Sequence, residues 1–177
     1  MNADASAFVA LGANLPHEGV AGQALLARAI EAMRGAGFFL RAVSGVWQTE
    51  AWPKASGQPD YYNAVVELDA EGFQPQALYQ RLTAIERAFG RERRVRWAPR
   101  TLDLDIVAID GFVGTFGPIT VPHPRMHCRA FVLAPLAEIA PTWRHPELQR
   151  TAGDLLAELA GEYRYHRVGE LALAGPR

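Results

Sequence analysis

The sequence has 177 residues, of which 49% are hydrophobic and 21% are charged, and its formal net charge is −1. A chain of this size can bury one hydrophobic core, and its balanced charge gives no global field that would hold a nucleic acid or an anionic membrane. The single cysteine, Cys128, excludes an internal disulfide and a cysteine-based zinc site. The single lysine, Lys54, stands outside any G-x-x-x-x-G-K-[ST] pattern, which excludes a Walker-type phosphate loop.

The N-terminal residues contain neither a basic start nor a long apolar run, so we expect no signal peptide. No stretch approaches the roughly 18 apolar residues that a membrane-spanning helix needs. We therefore expect a cytoplasmic protein that forms a single domain over residues 1–177.

In the first half of the chain, short apolar runs bounded by turn-forming residues alternate with stretches of helical periodicity. The apolar run at residues 7–11 predicts a buried strand, and apolar residues three and four apart predict a helix over residues 18–34. We then expect a strand at residues 38–47, a loop at residues 50–59 and a strand at residues 64–68.

In the second half, Pro75 begins a helix, a position that suits proline because its missing N–H would have no partner there. Gly90 ends this helix, and an arginine-rich loop at residues 91–100 leads to a strand at residues 102–109. The remaining predicted elements are a turn at Gly111, Gly114 and Gly117, helices at residues 131–139 and 151–159, and a strand at residues 163–168.

The order of these elements up to residue 109 is strand, helix, strand, strand, helix, strand. This order predicts an α+β fold with a ferredoxin-like βαββαβ core. We expect a mainly antiparallel sheet with helices on one face, followed by a C-terminal extension.

Two aspartates on one strand form the first candidate site. Alternation along a strand places Asp103 and Asp105 on one face and Leu102, Leu104 and Ile106 on the other. Paired carboxylates repel each other unless a cation lies between them, and Mg²⁺ commonly takes one or two carboxylates together with water and phosphate oxygens. By itself, the Asp-x-Asp pattern more often indicates a solvent-facing polar edge.

An arginine cluster directly precedes the aspartates. Guanidinium groups bind phosphate oxygens bidentately, so the cluster beside an anionic metal site indicates a polyphosphate site, whereas alone it would indicate a solvated basic loop. Trp97 lies within it, where its ring can anchor the loop or cover a flat ligand. The arginines are Arg87, Arg91, Arg93, Arg94, Arg96 and Arg100.

Two further clusters contain polar and aromatic candidates. His123 lies between prolines and Arg129 begins a helix, so both can contact phosphate, although a lone histidine is more often structural. Asn63 offers a donor and an acceptor to a heterocycle edge, and Tyr61 and Phe131 can stack on a flat ring. The alternative for these three is a turn-forming asparagine with core aromatics.

Taken in order, these clusters resemble the 6-hydroxymethyl-7,8-dihydropterin pyrophosphokinase family. The resemblance extends over nearly the whole chain, and its most specific segment is the R-W-x-P-R-T-L-D-L-D pattern of residues 96–105. The other matching segments are Leu11-Gly12-Ala13-Asn14-Leu15, Gln58-Pro59-Asp60-Tyr61-Tyr62-Asn63-Ala64, Val121-Pro122-His123 and Pro135-Leu136-Ala137-Glu138-Ile139-Ala140-Pro141.

The resemblance implies an α/β sandwich with a ferredoxin-like core, and a monomeric enzyme of folate biosynthesis. Such an enzyme binds Mg-ATP and then the pterin, transfers diphosphate to the hydroxymethyl oxygen, and releases AMP.

The resemblance also implies a role for each matching residue of this chain. Asp103 and Asp105 correspond to the ligands of two Mg²⁺ ions, and Arg91 and Arg100 to catalytic contacts. The implied contacts to ATP and its phosphates are Arg91, Arg93, Arg100, His123 and Arg129, with Thr83, Glu86, Ile106 and Thr120 as further nucleotide positions. The implied pterin contacts are Thr49, Tyr61, Asn63, Trp97 and Phe131.

The sequence departs from the family pattern at three places. Ala98 replaces a glycine, which restricts the backbone of the arginine loop. The loop between Gly90 and Trp97 is one residue shorter than in some relatives, so the register of Arg94 is open. Pro118 occupies a position where some relatives have an arginine that contacts ATP.

Three other functions compete with this interpretation. Ferredoxin-like sheets also bind RNA, but they stack bases on aromatic residues, and the strand at residues 102–109 has none. A different magnesium-dependent phosphotransferase or a nuclease would use the same aspartates and arginines. A catalytically inactive relative with a binding role is the third alternative, which Ala98 keeps open.

Overall fold

The computed structural model describes residues 5–50, 59–90, 101–159, 161 and 164–171. The strands are β1 (Ser6–Ala13), β2 (Leu40–Val43), β3 (Val46–Thr49), β4 (Tyr61–Asp69), β5 (Asp103–Ile109), β6 (Gly114–Phe116), β7 (Ile119–Val121) and β8 (Tyr165–Gly169). The helices are α1 (Gly22–Gly35), α2 (Pro75–Ala88), α3 (Ala130–Ile139) and α4 (Ala152–Glu158), with a 3₁₀ turn at Met126–Cys128. None of these helices is long and apolar enough to cross a membrane.

The main sheet has six strands in the order β5-β1-β4-β3-β8, and β2 also pairs with β4. Every pair is antiparallel. The order β1-α1-β2/β3-β4-α2-β5 is the predicted βαββαβ core, with β1 and β4 at its centre. The predicted ferredoxin-like fold is therefore confirmed.

The strand predicted at residues 38–47 is two strands, β2 and β3, separated at Ser44 and Gly45. Ser44 N–H donates to the Val65 carbonyl at 3.0 Å, while the Ser44 hydroxyl accepts from Val65 N–H at 2.9 Å. A side chain here replaces a main-chain partner, which interrupts the ladder.

The helix predicted at residues 18–34 begins at Gly22. The preceding residues form a tight turn in which His17 and Val20 exchange main-chain hydrogen bonds of 2.8 and 2.9 Å. The apolar residues of this segment have helical spacing, but the N–H and C=O groups of His17 and Val20 bond to each other and are not available for a helix.

The prediction that helices lie on one face of the sheet was incomplete, because helices cover both faces. Along β1, Val9 and Leu11 point into a core shared with α1 and α2, while Phe8 and Ala10 point into a second core with α3 and α4. The sheet is buried on both sides, so its ends are left to form a ligand site.

The glycine-rich segment predicted as a turn contains the two-stranded hairpin β6–β7. Its strands have three residues each, too short for a period-two pattern to be detected. β7 lies beside β5 and α2, and this places Thr120 near the outer edge of β5.

Candidate functional site

The two aspartates lie at the start of β5, which is an edge strand of the sheet. Asp105 is opposite Ala10 on β1, and Asp103 is opposite Gly12. Ala10 belongs to the core of α3 and α4, whereas Leu104 belongs to the opposite core. Both carboxylates therefore project from the sheet face that α3 covers, as the alternation along the strand predicted.

Arg129 and His123 meet the aspartates from the segment that enters α3. Arg129 is the residue before the first turn of α3, and its Nη1 is 3.8 Å from Asp105 Oδ2. His123 Nε2 is 3.4 Å from Arg129 Nη1, and His123 N–H donates to the Val107 carbonyl at 2.8 Å. The segment is thus fastened to β5 next to the acidic pair.

Burial, followed by the nearby Arg129 guanidinium, lowers the pKa of His123 to about 4. The imidazole is therefore neutral at neutral pH. Nδ1 accepts a hydrogen bond from Arg125 N–H at 3.1 Å, and Nε2 lies 3.4 Å from Arg129 Nη1, which can only donate. In its neutral form His123 adds no positive charge beside the aspartates.

A second group of candidates surrounds Asn63 on β4, which is 4% exposed. Asn63 Nδ2 donates to the Thr49 hydroxyl at 3.0 Å, to the Trp47 carbonyl at 3.3 Å and to the Tyr61 carbonyl at 3.4 Å. The amide oxygen points the other way: a Cβ built on Gly12 would lie 3.5 Å from Asn63 Oδ1. The amide is fixed with its acceptor directed toward the space above Gly12.

Phe131 lies beside Arg129 at the N-terminal end of α3. It is on the first turn of the helix, half-buried against the core of α3 and α4, and the Arg129 guanidinium carbon is 5.5 Å from its ring centroid. This end of α3 therefore brings a cation to Asp105 and an aromatic ring beside that cation.

The predicted nucleotide positions lie on β5 itself, on helix α2 and on the hairpin β6–β7. Glu86 on α2 is 2% exposed, and its carboxylate accepts from Leu104 N–H at 2.7 Å. Thr83 is buried on the same helix, and Ile106 packs into the core of α1 and α2. The Thr120 hydroxyl is 3.0 Å from the Thr115 hydroxyl. Ile106 points to the sheet face opposite the aspartates, whereas Glu86 reaches the edge of β5 at the residue between them.

Four predicted site residues, Arg91, Arg93, Trp97 and Arg100, lie outside the described residues. The same holds for Ala98 and Arg94, so the departures of the arginine loop stay predictions.

Sequence reasoning missed two residues of this site. Gly12 provides the open space opposite Asn63, and Trp47 supplies a carbonyl to the Asn63 amide. Gly12 and Trp47 stand opposite Asn63 because of the register in which β1 and β3 pair with β4. The pattern of residues within one segment does not reveal the register between strands.

The carboxylates suit a hard divalent cation by their chemistry. Asp103 and Asp105 offer oxygen ligands from one strand face, and Mg²⁺ needs no more than one or two carboxylates when phosphate and water complete its shell. Within the described ranges, no group of three or more His, Cys, Asp or Glu side chains is arranged to hold a metal ion. The donor set fits a metal that arrives with a polyphosphate better than a closed protein site.

A family model described as 7,8-dihydro-6-hydroxymethylpterin-pyrophosphokinase matches residues 8–141. Proteins named 2-amino-4-hydroxy-6-hydroxymethyldihydropteridine pyrophosphokinase are similar in sequence. The Pseudomonas aeruginosa protein is 42% identical over 142 residues, 79% of this chain and 83% of its own length. The Bacillus subtilis protein is 36% identical over 134 residues, with coverages of 75% and 77%. The Synechocystis protein is 45% identical over 102 residues, 58% of this chain and 52% of its own length.

Solved structures share the fold at low sequence identity. The crystal structure of wild-type Plasmodium falciparum HPPK-DHPS superposes with a TM-score of 0.68 at 11% identity, covering 89% of this chain and 45% of that one. The same protein with pteroate gives a TM-score of 0.67 at 10% identity. This chain thus spans about half the length of the Synechocystis relative and less than half of the Plasmodium chains.

Proposed function

The chain belongs to the 7,8-dihydro-6-hydroxymethylpterin-pyrophosphokinase family, and we propose that it transfers diphosphate from ATP to 6-hydroxymethyl-7,8-dihydropterin in tetrahydrofolate biosynthesis. The products are the pterin diphosphate and AMP. The observation that supports this most directly is that two unlike groups lie on either side of Gly12: an acidic and cationic group on β5 and α3, and a neutral amide group on β3 and β4.

The reaction forms a bond between the substrate hydroxymethyl oxygen and the β-phosphorus of ATP, while the bond from the β-phosphorus to the bridging α-phosphate oxygen breaks. The hydroxyl proton leaves to solvent, and AMP departs with the bridging oxygen. No covalent enzyme intermediate is required, so the protein contributes positioning and charge stabilisation.

Asp103 and Asp105 would hold two Mg²⁺ ions, which neutralise phosphate charge and assist both the attacking and the leaving oxygen. Arg129 is close enough to Asp105 to contact the same phosphates. His123 would contact a phosphate oxygen as a neutral group. Arg91, Arg93 and Arg100 would bind the remaining oxygens, with Arg91 and Arg100 as catalytic contacts that help to exclude water.

The acceptor substrate would lie against Asn63, whose amide oxygen, directed toward the space above Gly12, would accept from an N–H on the edge of the pterin. Thr49 orients the amide by accepting from it. Phe131, Tyr61 and Trp97 would contact the flat ring. This arrangement selects a small planar acceptor over an extended polymer.

The nucleotide positions divide into direct and indirect contacts. Thr120 has a hydroxyl at the surface of the hairpin, whereas Ile106 and Thr83 can reach ATP only through main-chain atoms or by shaping the pocket, since their side chains are buried. Glu86 binds the amide between the two aspartates. We further propose a cytoplasmic, monomeric enzyme that forms one domain.

The decisive experiment incubates the purified chain with Mg-ATP and 6-hydroxymethyl-7,8-dihydropterin and quantifies AMP, ADP and the modified pterin by mass spectrometry. The expected result is AMP and pterin diphosphate in equal amounts, dependent on both substrates and abolished by EDTA. Release of ADP with a pterin monophosphate would identify a simple kinase instead. No pterin product at saturating substrate would refute the proposed function.

A further inference from the structure

Glu138, in the last turn of α3, ties three parts of the chain together. Its carboxylate accepts from Gly45 N–H at 3.1 Å, from the Trp47 indole N–H at 2.9 Å and from Arg167 Nη2 at 2.9 Å. Gly45 directly precedes β3, Trp47 lies on β3, and Arg167 lies on β8. One side chain therefore bonds α3 to two neighbouring strands.

The charge of this carboxylate matters for these contacts. Burial alone would raise the pKa of Glu138, but the hydrogen bonds from Arg167, Trp47 and Gly45 outweigh it and lower the pKa below its usual value. An ionised carboxylate only accepts hydrogen bonds, so it can satisfy all three donors. A glutamine would turn an NH₂ group toward at least one of them.

Glu138 is linked to the acceptor side of the site through Trp47. In the register of β3 and β4, Trp47 stands opposite Asn63 and Thr49 opposite Tyr61, so these four side chains share the face covered by α3. The carbonyl of Trp47 accepts from the Asn63 amide at 3.3 Å. The residue that fixes the Trp47 indole thus also fixes a partner of Asn63.

We propose, resting on the function proposed above, that Glu138 is a positioning residue for the pterin substrate. Its carboxylate holds Trp47 and the start of β3 against α3, so that Thr49 and the Trp47 carbonyl keep the Asn63 amide in its binding orientation. The described partners of Glu138 lie on β8, on β3 and just before β3, separated by at least two strands from Asp103 and Asp105 on β5, so its effect should fall on the acceptor substrate.

Gly45 allows this network to form. A Cβ at this position would lie 2.5 Å from Arg167 Cζ, so alanine here would displace the guanidinium from Glu138. Replacement of Gly45 by alanine removes one partner of Glu138 and leaves the Trp47 indole in place, which separates the two contacts.

The test compares Trp47→Phe, Glu138→Gln and the double variant, with KM measured separately for the pterin and for ATP. Each single variant should raise the pterin KM about five- to tenfold, the effect of losing one charge-assisted hydrogen bond, and leave the ATP KM within about twofold. The pterin KM of the double variant should be no higher than that of the more affected single variant, because both changes break the same contact.

Glu158→Gln, at the end of α4, is the matched control, since it removes an ion pair with Arg150 and should leave both KM values unchanged. Gly45→Ala should raise the pterin KM less than Trp47→Phe. If Glu138→Gln and Trp47→Phe lower the melting temperature but leave the pterin KM unchanged, Glu138 only stabilises the fold and the inference is wrong.

Equal increases in both KM values would also overturn the inference, because they would indicate general disruption. These outcomes are distinct from failure of the proposed function, in which the wild-type chain itself releases no AMP with this pterin and the inference falls with it.

Discussion

The two sides of the candidate site are built from different interactions. On the acceptor side, neutral groups contact each other directly, with the Asn63 amide 3.0 Å from the Thr49 hydroxyl. On the phosphate side, the contact between Arg129 and Asp105 joins opposite charges at 3.8 Å, and the Asp105 side chain is 43% exposed. A flat neutral ligand requires donors and acceptors fixed in advance, whereas a polyanion with its metal is bound by charged groups.

The phosphate side is tested most severely by Asp105→Asn, which keeps the shape of the side chain and removes its charge. We expect kcat to fall about a thousandfold, corresponding to the several kcal/mol that a correctly held metal contributes. The measurement is AMP release over a range of Mg²⁺ concentrations.

Asp110→Asn is the matched control for this change. Asp110 directly follows β5 at the end away from the site, where its carboxylate accepts from Ser6 N–H at 3.0 Å, so this variant should lose some stability and keep its turnover. If Asp105→Asn stays within about tenfold of wild type in kcat, the charge of the acidic pair is not what distinguishes this side.

The acceptor side is tested by Asn63→Ala, with a smaller expected effect. Removing the amide deletes the acceptor that faces the pterin, so the pterin KM should rise about 10- to 100-fold while the ATP KM changes less than about twofold. Thr49→Val should give a weaker increase, because it removes only one partner of the amide, and Thr49→Ser should behave like wild type. A comparable increase in the ATP KM would show that the two sides are not independent.

On the phosphate side, the part that could be predicted from the sequence lies in one short segment. Asp103 and Asp105 are two residues apart on a strand, and alternation alone predicts their common face. The meeting of Arg129 with Asp105 depends on how α3 packs against the sheet, and no single segment of the sequence contains that contact.

The acceptor side depends on register between strands, which a single sequence does not contain. Gly12, Trp47 and Asn63 belong to three strands, and their alignment follows from pairings across the sheet. The break between β2 and β3 was missed for a similar reason, since the Ser44 hydroxyl that interrupts the ladder bonds to Val65 on another strand.

The smallest expected effect is a pH dependence of stability that arises from His123. Burial and the adjacent Arg129 lower its pKa to about 4 from an ordinary value of 6.5, with Arg125 opposing the charge and Asp103 favouring it. Between these two pH values the unfolded chain binds a proton that the folded chain does not, so the free energy of unfolding rises with pH across this window.

His123→Asn retains an acceptor for Arg125 N–H and should flatten that rise, as measured by urea denaturation at several values from pH 4 to pH 7. His166→Asn, on the exposed strand β8, is the matched control and should keep the wild-type profile. An unchanged slope in His123→Asn would mean that His123 is not held neutral, and the phosphate side would then contain a further cation at acid pH.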